Sequence, residues 1–152
     1  MSEDLYQEII LDHYKNPRGK RVEIDSLAQS HQVNPTCGDE ITVEIGQNSD
    51  GTLLVSYDGQ GCSISQASAS VMSELINGKT PEQAAPIQAA FMELMKSKGQ
   101  LEPDEEVLED AIAFAGVSKY PARIKCALIS WMALSDAQIK ASLTAKTTTR
   151  NE

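Results

Sequence analysis

Two stretches of strict alternation lie close together in this chain. Ile41, Val43 and Ile45 alternate with Thr42 and Glu44; Leu53, Val55 and Tyr57 alternate with Leu54 and Ser56. A period of two puts one face of each stretch in a core and marks both as strands. Asn48-Ser49-Asp50-Gly51 between them has the residues of a hairpin turn. Gly59 and Gly61 end the second strand, and the spacing then becomes helical from Cys62, through Ile64, Ala67, Val71 and Leu75, to Asn77-Gly78. Residues 63–70 are almost all Ser and Ala, so this helix can lie close against a sheet. Leu27 to Val33 is a weaker strand, at an edge. The expectation is an α+β fold, with a small antiparallel sheet packed against helices in one domain spanning 1–141.

Further helices are marked by their ends. Ser2 caps a first helix with the stripe Leu5, Ile9 and Ile10, and Asn16-Pro17 and Gly19 close it. His13 has no partner at i±4 and reads as a surface or packing residue rather than a ligand. Thr80-Pro81-Glu82-Gln83 combines a cap, a first-position proline and a capping-box Gln. Pro86 is expected to interrupt or kink the helix that follows, with Ile87, Phe91, Leu94 and Met95 inward. Asp104 caps another helix, with Val107, Leu108, Ala111, Ile112 and Ala115 inward. Gly116 to Tyr120 is a loop. Pro121 opens the last helix, with Ile124, Leu128, Trp131 and Ser135 on its face, and 142–152 read as a flexible tail.

Charge narrows the partners. Thirteen Lys and Arg against 22 Asp and Glu give a net charge of −9. Nucleic acid and anionic membrane surfaces would repel such a chain, and a basic patch on a protein partner would attract it. No apolar run is long enough to span a bilayer, and Met1-Ser2-Glu3-Asp4 lacks the features of a signal peptide, so a cytoplasmic location is expected. In a reducing compartment the three cysteines, an odd number without a C-x-x-C pair, are core fillers, metal ligands or nucleophiles.

Their settings favour chemistry. In Cys37-Gly38-Asp39 a thiol and a carboxylate flank a glycine that lets the backbone bend, so both can face one centre. That pair suits a divalent metal, zinc above all, although the tripeptide alone also reads as a polar turn. Cys62 starts a helix, where unpaired N–H groups and the dipole favour a thiolate. Cys126 lies in the second turn of the last helix. Together Cys37, Asp39, Cys62 and Cys126 would complete a tetrahedral zinc site of formal charge −2. Arg123 shares the flank of Cys126 and would offset that charge; Lys125 is a second candidate, although its position on the helix points elsewhere.

The segment LYQEIILDHYKNPR, the motif NPTCGDEI, the GxGCxIS pattern of Gly59 to Ser65, and R-x-K-C followed by W-x-A-L together resemble one known family. It is the iron–sulfur scaffold-like family typified by IscU and the N-terminal part of NifU, and the likeness covers nearly the whole chain. Lys125 stands where scaffold members have a histidine, and an insert at 79–100 separates the second and third cysteines; both features mark the SufU branch. The resemblance implies a three-stranded antiparallel sheet with about five helices. It implies one Zn2+ on Cys37, Asp39, Cys62 and Cys126, with Cys37 also accepting persulfide sulfur from a cysteine desulfurase of the SufS type. In this family the desulfurase is thought to offer a histidine that takes the place of Cys37 on the metal. The sulfur would pass to downstream cluster-assembly proteins, making the chain a sulfurtransferase. Two alternatives share the motif: a scaffold holding iron or an iron–sulfur cluster, and a metal that only staples a binding domain. Structural zinc sites favour Cys and His, so Asp39 counts against the second.

Overall fold

The computed structural model describes residues 3–150, and the side chains of 4–142. Helix α1 (Glu3–Lys15) leads to a meander of β1 (Ala28–Asn34), β2 (Asp39–Gln47) and β3 (Leu53–Gln60). Both pairings are antiparallel and β2 is central. Helices α2 (Ser63–Ile76), α3 (Pro81–Lys96), α4 (Glu105–Leu108) and α5 (Pro121–Arg150) follow, with 3₁₀ turns at Glu109–Ala115 and Val117–Lys119. The α+β class and the three-stranded sheet agree with expectation. Ser2 and residues 151–152 lie outside the described residues, as do the side chains of 143–150, on which the expected tail falls; the backbone of α5 runs helical to Arg150.

Alternation along β2 and β3 buries Ile41, Val43, Ile45, Leu53, Val55 and Tyr57 on one face. Helix α2 is buried almost throughout, which its small residues permit. Its buried hydroxyls are tied to neighbouring elements. Ser68 donates to the Ala127 carbonyl (2.6 Å) and accepts from Trp131 Nε1 (3.1 Å), joining α2 to α5. Ser73 lies so close to Gly19 that a Cβ at that position would overlap its hydroxyl.

Several local expectations are corrected. The capping box at Thr80 and Gln83 forms, but Pro86 does not break α3; it sits exposed in a continuous helix. Asp104 caps only four residues of α-helix. Glu109 then takes φ 45°, and the chain tightens into a 3₁₀ turn that still buries Ala111, Ile112 and Phe114. The expected loop at 116–120 contains another 3₁₀ turn. The buried side of α5 is wider than the foreseen face: Cys126, Ala127, Ser130, Trp131, Ala133, Leu134 and Ala137 are all buried. The cause is that α5 is covered on several sides, by the sheet, α2 and α3.

The insert at 79–100 consists mainly of α3, which closes the core over α5. Phe91 stacks on Trp131 at 4.3 Å between centroids and meets Phe114 edge-on at 5.9 Å. Gln88 reaches Ser135 (3.1 Å) and Gln138 (3.0 Å).

Candidate metal centre

The β1–β2 hairpin presents the first two donors. Asn34 and Asp39 are paired at its end, and Pro35 to Gly38 form the turn, closed by Cys37 N–H donating to Asn34 O (3.2 Å). Gly38 has φ 69°, a left-handed conformation that glycine adopts without Cβ strain, and it lets the chain double back between the two donors. Cys37 is exposed at the tip, whereas Asp39 is 1% exposed.

The start of α2 meets Asp39 directly. Cys62 occupies the N-cap, and its N–H donates to Asp39 Oδ1 at 2.8 Å. The Ser65 hydroxyl is shared between the same Oδ1 (3.2 Å) and the Cys62 carbonyl (3.0 Å). Cys62 Sγ lies 3.9 Å from the other oxygen, Oδ2. Gly61 (φ 153°) faces Asp39 so closely that any Cβ there would overlap the carboxylate. The third element is α5, which brings the buried Cys126 Sγ to 3.2 Å from Cys37 Sγ, with Asn34 Nδ2 at 4.0 Å.

Donor atoms of Cys37, Asp39 and Cys126 lie within 4.8 Å of one another, a set able to hold a metal ion. Cys62 stands at its edge through Asp39 Oδ2. Burial pushes the Cys126 thiol well above its usual range, and Cys37, Asp39 and Cys62 push it further the same way. Among the described residues, no Lys or Arg pairs with the buried Asp39. A buried carboxylate beside three thiols disfavours further negative charge until a cation arrives. Soft sulfur donors with one oxygen fit zinc or iron rather than magnesium or calcium.

The supporting residues are placed differently from expectation. Arg123 is exposed and is not among the residues lining the groove at Cys37. Lys125, expected to point away, lines that groove together with Asn34, Thr36, Cys37, Pro121 and Ala122. The turn wraps over the first turn of α5, so a neighbour in sequence becomes a neighbour of the site; helical spacing alone could not show this.

A second cluster was not visible in the sequence. His13 is fully buried, with Nδ1 2.7 Å from Ser70 Oγ and Nε2 2.8 Å from Asp110 Oδ2. Glu74 is nearby at 3.9 Å but is engaged by Arg18 at 3.4 Å, which also binds Asp12 at 2.8 Å. These groups satisfy one another and knot α1 to α2 and to the 3₁₀ turn. His13 is thus a packing residue, and its partners lie far away in sequence.

The meander, the covering helices and the Cys/Asp cluster at their junction define an α+β domain with a group of side chains able to hold a metal ion where these elements meet. The chain belongs to the NifU-like N-terminal domain family, whose model matches residues 5–127. It is 45% identical to the zinc-dependent sulfurtransferase SufU of Bacillus subtilis over 90% of each chain. It is 37% identical to the iron–sulfur cluster assembly scaffold protein IscU of Streptococcus pyogenes, covering 93% of this chain and 87% of that one. Among solved structures it resembles FiSufU of Fervidobacterium islandicum, named as an iron–sulfur cluster assembly scaffold protein for a SUF system. The TM-score there is 0.74 at 36% identity, covering 90% of this chain and 98% of that one. Among the described residues no helix is long and apolar enough to cross a membrane.

Proposed function

We propose that this chain is a zinc-dependent sulfurtransferase of iron–sulfur cluster assembly, taking persulfide sulfur from a cysteine desulfurase of the SufS type onto Cys37. The observation that carries the reading is the unequal exposure of three gathered thiols: Cys37 is exposed, Cys62 intermediate and Cys126 buried. An acceptor must be reached by a partner, and an anchor need not be. The 45% identity to a zinc-dependent sulfurtransferase supports the same assignment.

Cys37, Asp39, Cys62 and Cys126 would hold the zinc. When bound, the ion would keep the thiols deprotonated while damping the nucleophilicity of Cys37. The chain's own residues do the rest. Cys62 N–H and Ser65 fix one oxygen of Asp39, leaving the other toward the sulfurs. Cys126 is locked in α5, while the turn carrying Cys37 is open on its outer side. Once free, the Cys37 thiolate attacks the outer sulfur of the donor persulfide, a thiol–disulfide exchange in form. The acidic surface suits a partner with a basic docking face.

The test is desulfurase turnover with this chain added, wild type against Cys37→Ala. Stimulation by wild type alone is expected; equal stimulation by both defeats the reading. A second reading is a cluster scaffold, favoured by the scaffold names of the Streptococcus and Fervidobacterium relatives. Elemental analysis of the purified protein separates the two: one zinc per chain supports the first, and iron with sulfide that survives gel filtration supports the second.

A further inference from the structure

The groove beside Cys37 has a volume of about 190 Å³, and the apolar residues Pro121 and Ala122 are among those that line it. Lys125 is the single cation among the residues that line it. Four other cations of this acidic chain are engaged: Arg18 with Asp12 and Glu74, Arg21 with Asp58, Lys79 with the Leu75 carbonyl and Lys140 with Asp136; among the described residues, the remaining lysines and Arg123 do not line the groove. Among the described residues, the Lys125 side chain has neither an ion pair nor a hydrogen bond, and the residue is exposed. A lysine without an ion pair, lining the same partly apolar groove as an exposed thiol, favours an anion there.

We propose that Lys125 binds the sulfur that Cys37 carries, its ammonium pairing across the groove with the anionic terminal sulfur of a Cys37 persulfide. This rests on the reading of Cys37 as the acceptor. In the transfer, the Cys37 thiolate attacks the outer sulfur of the donor persulfide. One S–S bond forms at Cys37 Sγ, and the donor's S–S bond breaks, its electron pair leaving on the donor thiolate. The proton of the transferred sulfur passes to solvent, because a persulfide is more acidic than a thiol. No external oxidant or reductant is needed. The product is an anion at the groove wall, where Lys125 provides its counter-charge.

Two readouts on the zinc-loaded full chain test the proposal, with Lys125→Gln and Lys125→Arg beside wild type. The first is the ratio of alkylation rates at Cys37 by iodoacetate and by iodoacetamide, followed by peptide mass spectrometry; it reports the local field without any sulfur transfer. The second is the fraction of Cys37 persulfide formed in a fixed time from glutathione persulfide, a small anionic donor. Lys125→Gln is expected to lower the ratio roughly 3- to 10-fold and to lower the persulfide fraction, and Lys125→Arg to keep both near wild type. In 1 M salt, where the Debye length is about 3 Å, the wild-type ratio should fall toward that of Lys125→Gln. An unchanged ratio in Lys125→Gln, or a Lys125→Arg variant that behaves like it, overturns the assignment. If wild type and Lys125→Gln take up sulfur equally, only the role of Lys125 falls. If wild type takes up none, the acceptor reading falls with it.

Discussion

Asp39 shows how one side chain can be divided between structure and chemistry. Its Oδ1 is occupied by Cys62 N–H and Ser65, and its Oδ2 faces sulfur. Partners that orient a ligand set how firmly it holds a metal. Ser65→Ala should therefore speed loss of bound zinc to a chromophoric chelator about 10-fold, with little change in the circular dichroism spectrum. Tyr57 is a second residue with a measurable signature. Its hydroxyl is buried facing Ser70 without closing a hydrogen bond, and burial raises its pKa to about 12. The unfolded chain loses that proton near pH 10, so between about 10 and 12 the native state holds more protons and stability falls as pH rises. Tyr57→Phe should flatten that part of the curve of unfolding free energy against pH, at a neutral-pH cost below about 1 kcal/mol.

At the scale of elements, the insert is a piece of core rather than an appendage. Helix α3 reaches the centre through Phe91, stacked on Trp131. Phe91→Ala should cost roughly 3–5 kcal/mol in urea unfolding while leaving the metal content of the folded protein unchanged, since none of the donors lies on α3. Elements also divide what was legible in the sequence from what was not. The strands, the hairpin, the capping box and the start of α5 at Pro121 follow from local rules of alternation and capping, and all are present. What escaped depends on distant partners. The 3₁₀ turn after α4 arises where Glu109 reverses its backbone to keep Ala111 and Phe114 buried, and propensity carries no trace of that. The four candidate donors stood out by residue type and position, whereas the placement of Lys125 depended on a turn from one element crossing the first turn of another. His13, expected at the surface or in packing, is buried, and Asp110 and Ser70 could not be named as its partners.

At the scale of the whole molecule, the cluster joins a hairpin turn, the start of one helix and the second turn of another. Cys126 is held protonated by burial and by its neighbours, so zinc should displace thiol protons on binding. Titrating zinc into the metal-free chain near pH 7, in buffers of different ionisation enthalpy, should show net proton release, and less of it in Cys126→Ala. The direction is fixed by the raised thiol: affinity should climb with pH, because fewer protons then compete for sulfur.

Two of the candidate thiols and the carboxylate precede α2, while the remaining thiol belongs to the final helix. A ribosome therefore finishes most of the polypeptide before the set is complete. A growing chain can offer an incoming ion only a partial grip, and tight capture must wait until α5 has emerged and docked. If the set holds zinc as proposed, loading would certify a finished product, and a truncated translation product would leave the metal for its intact siblings.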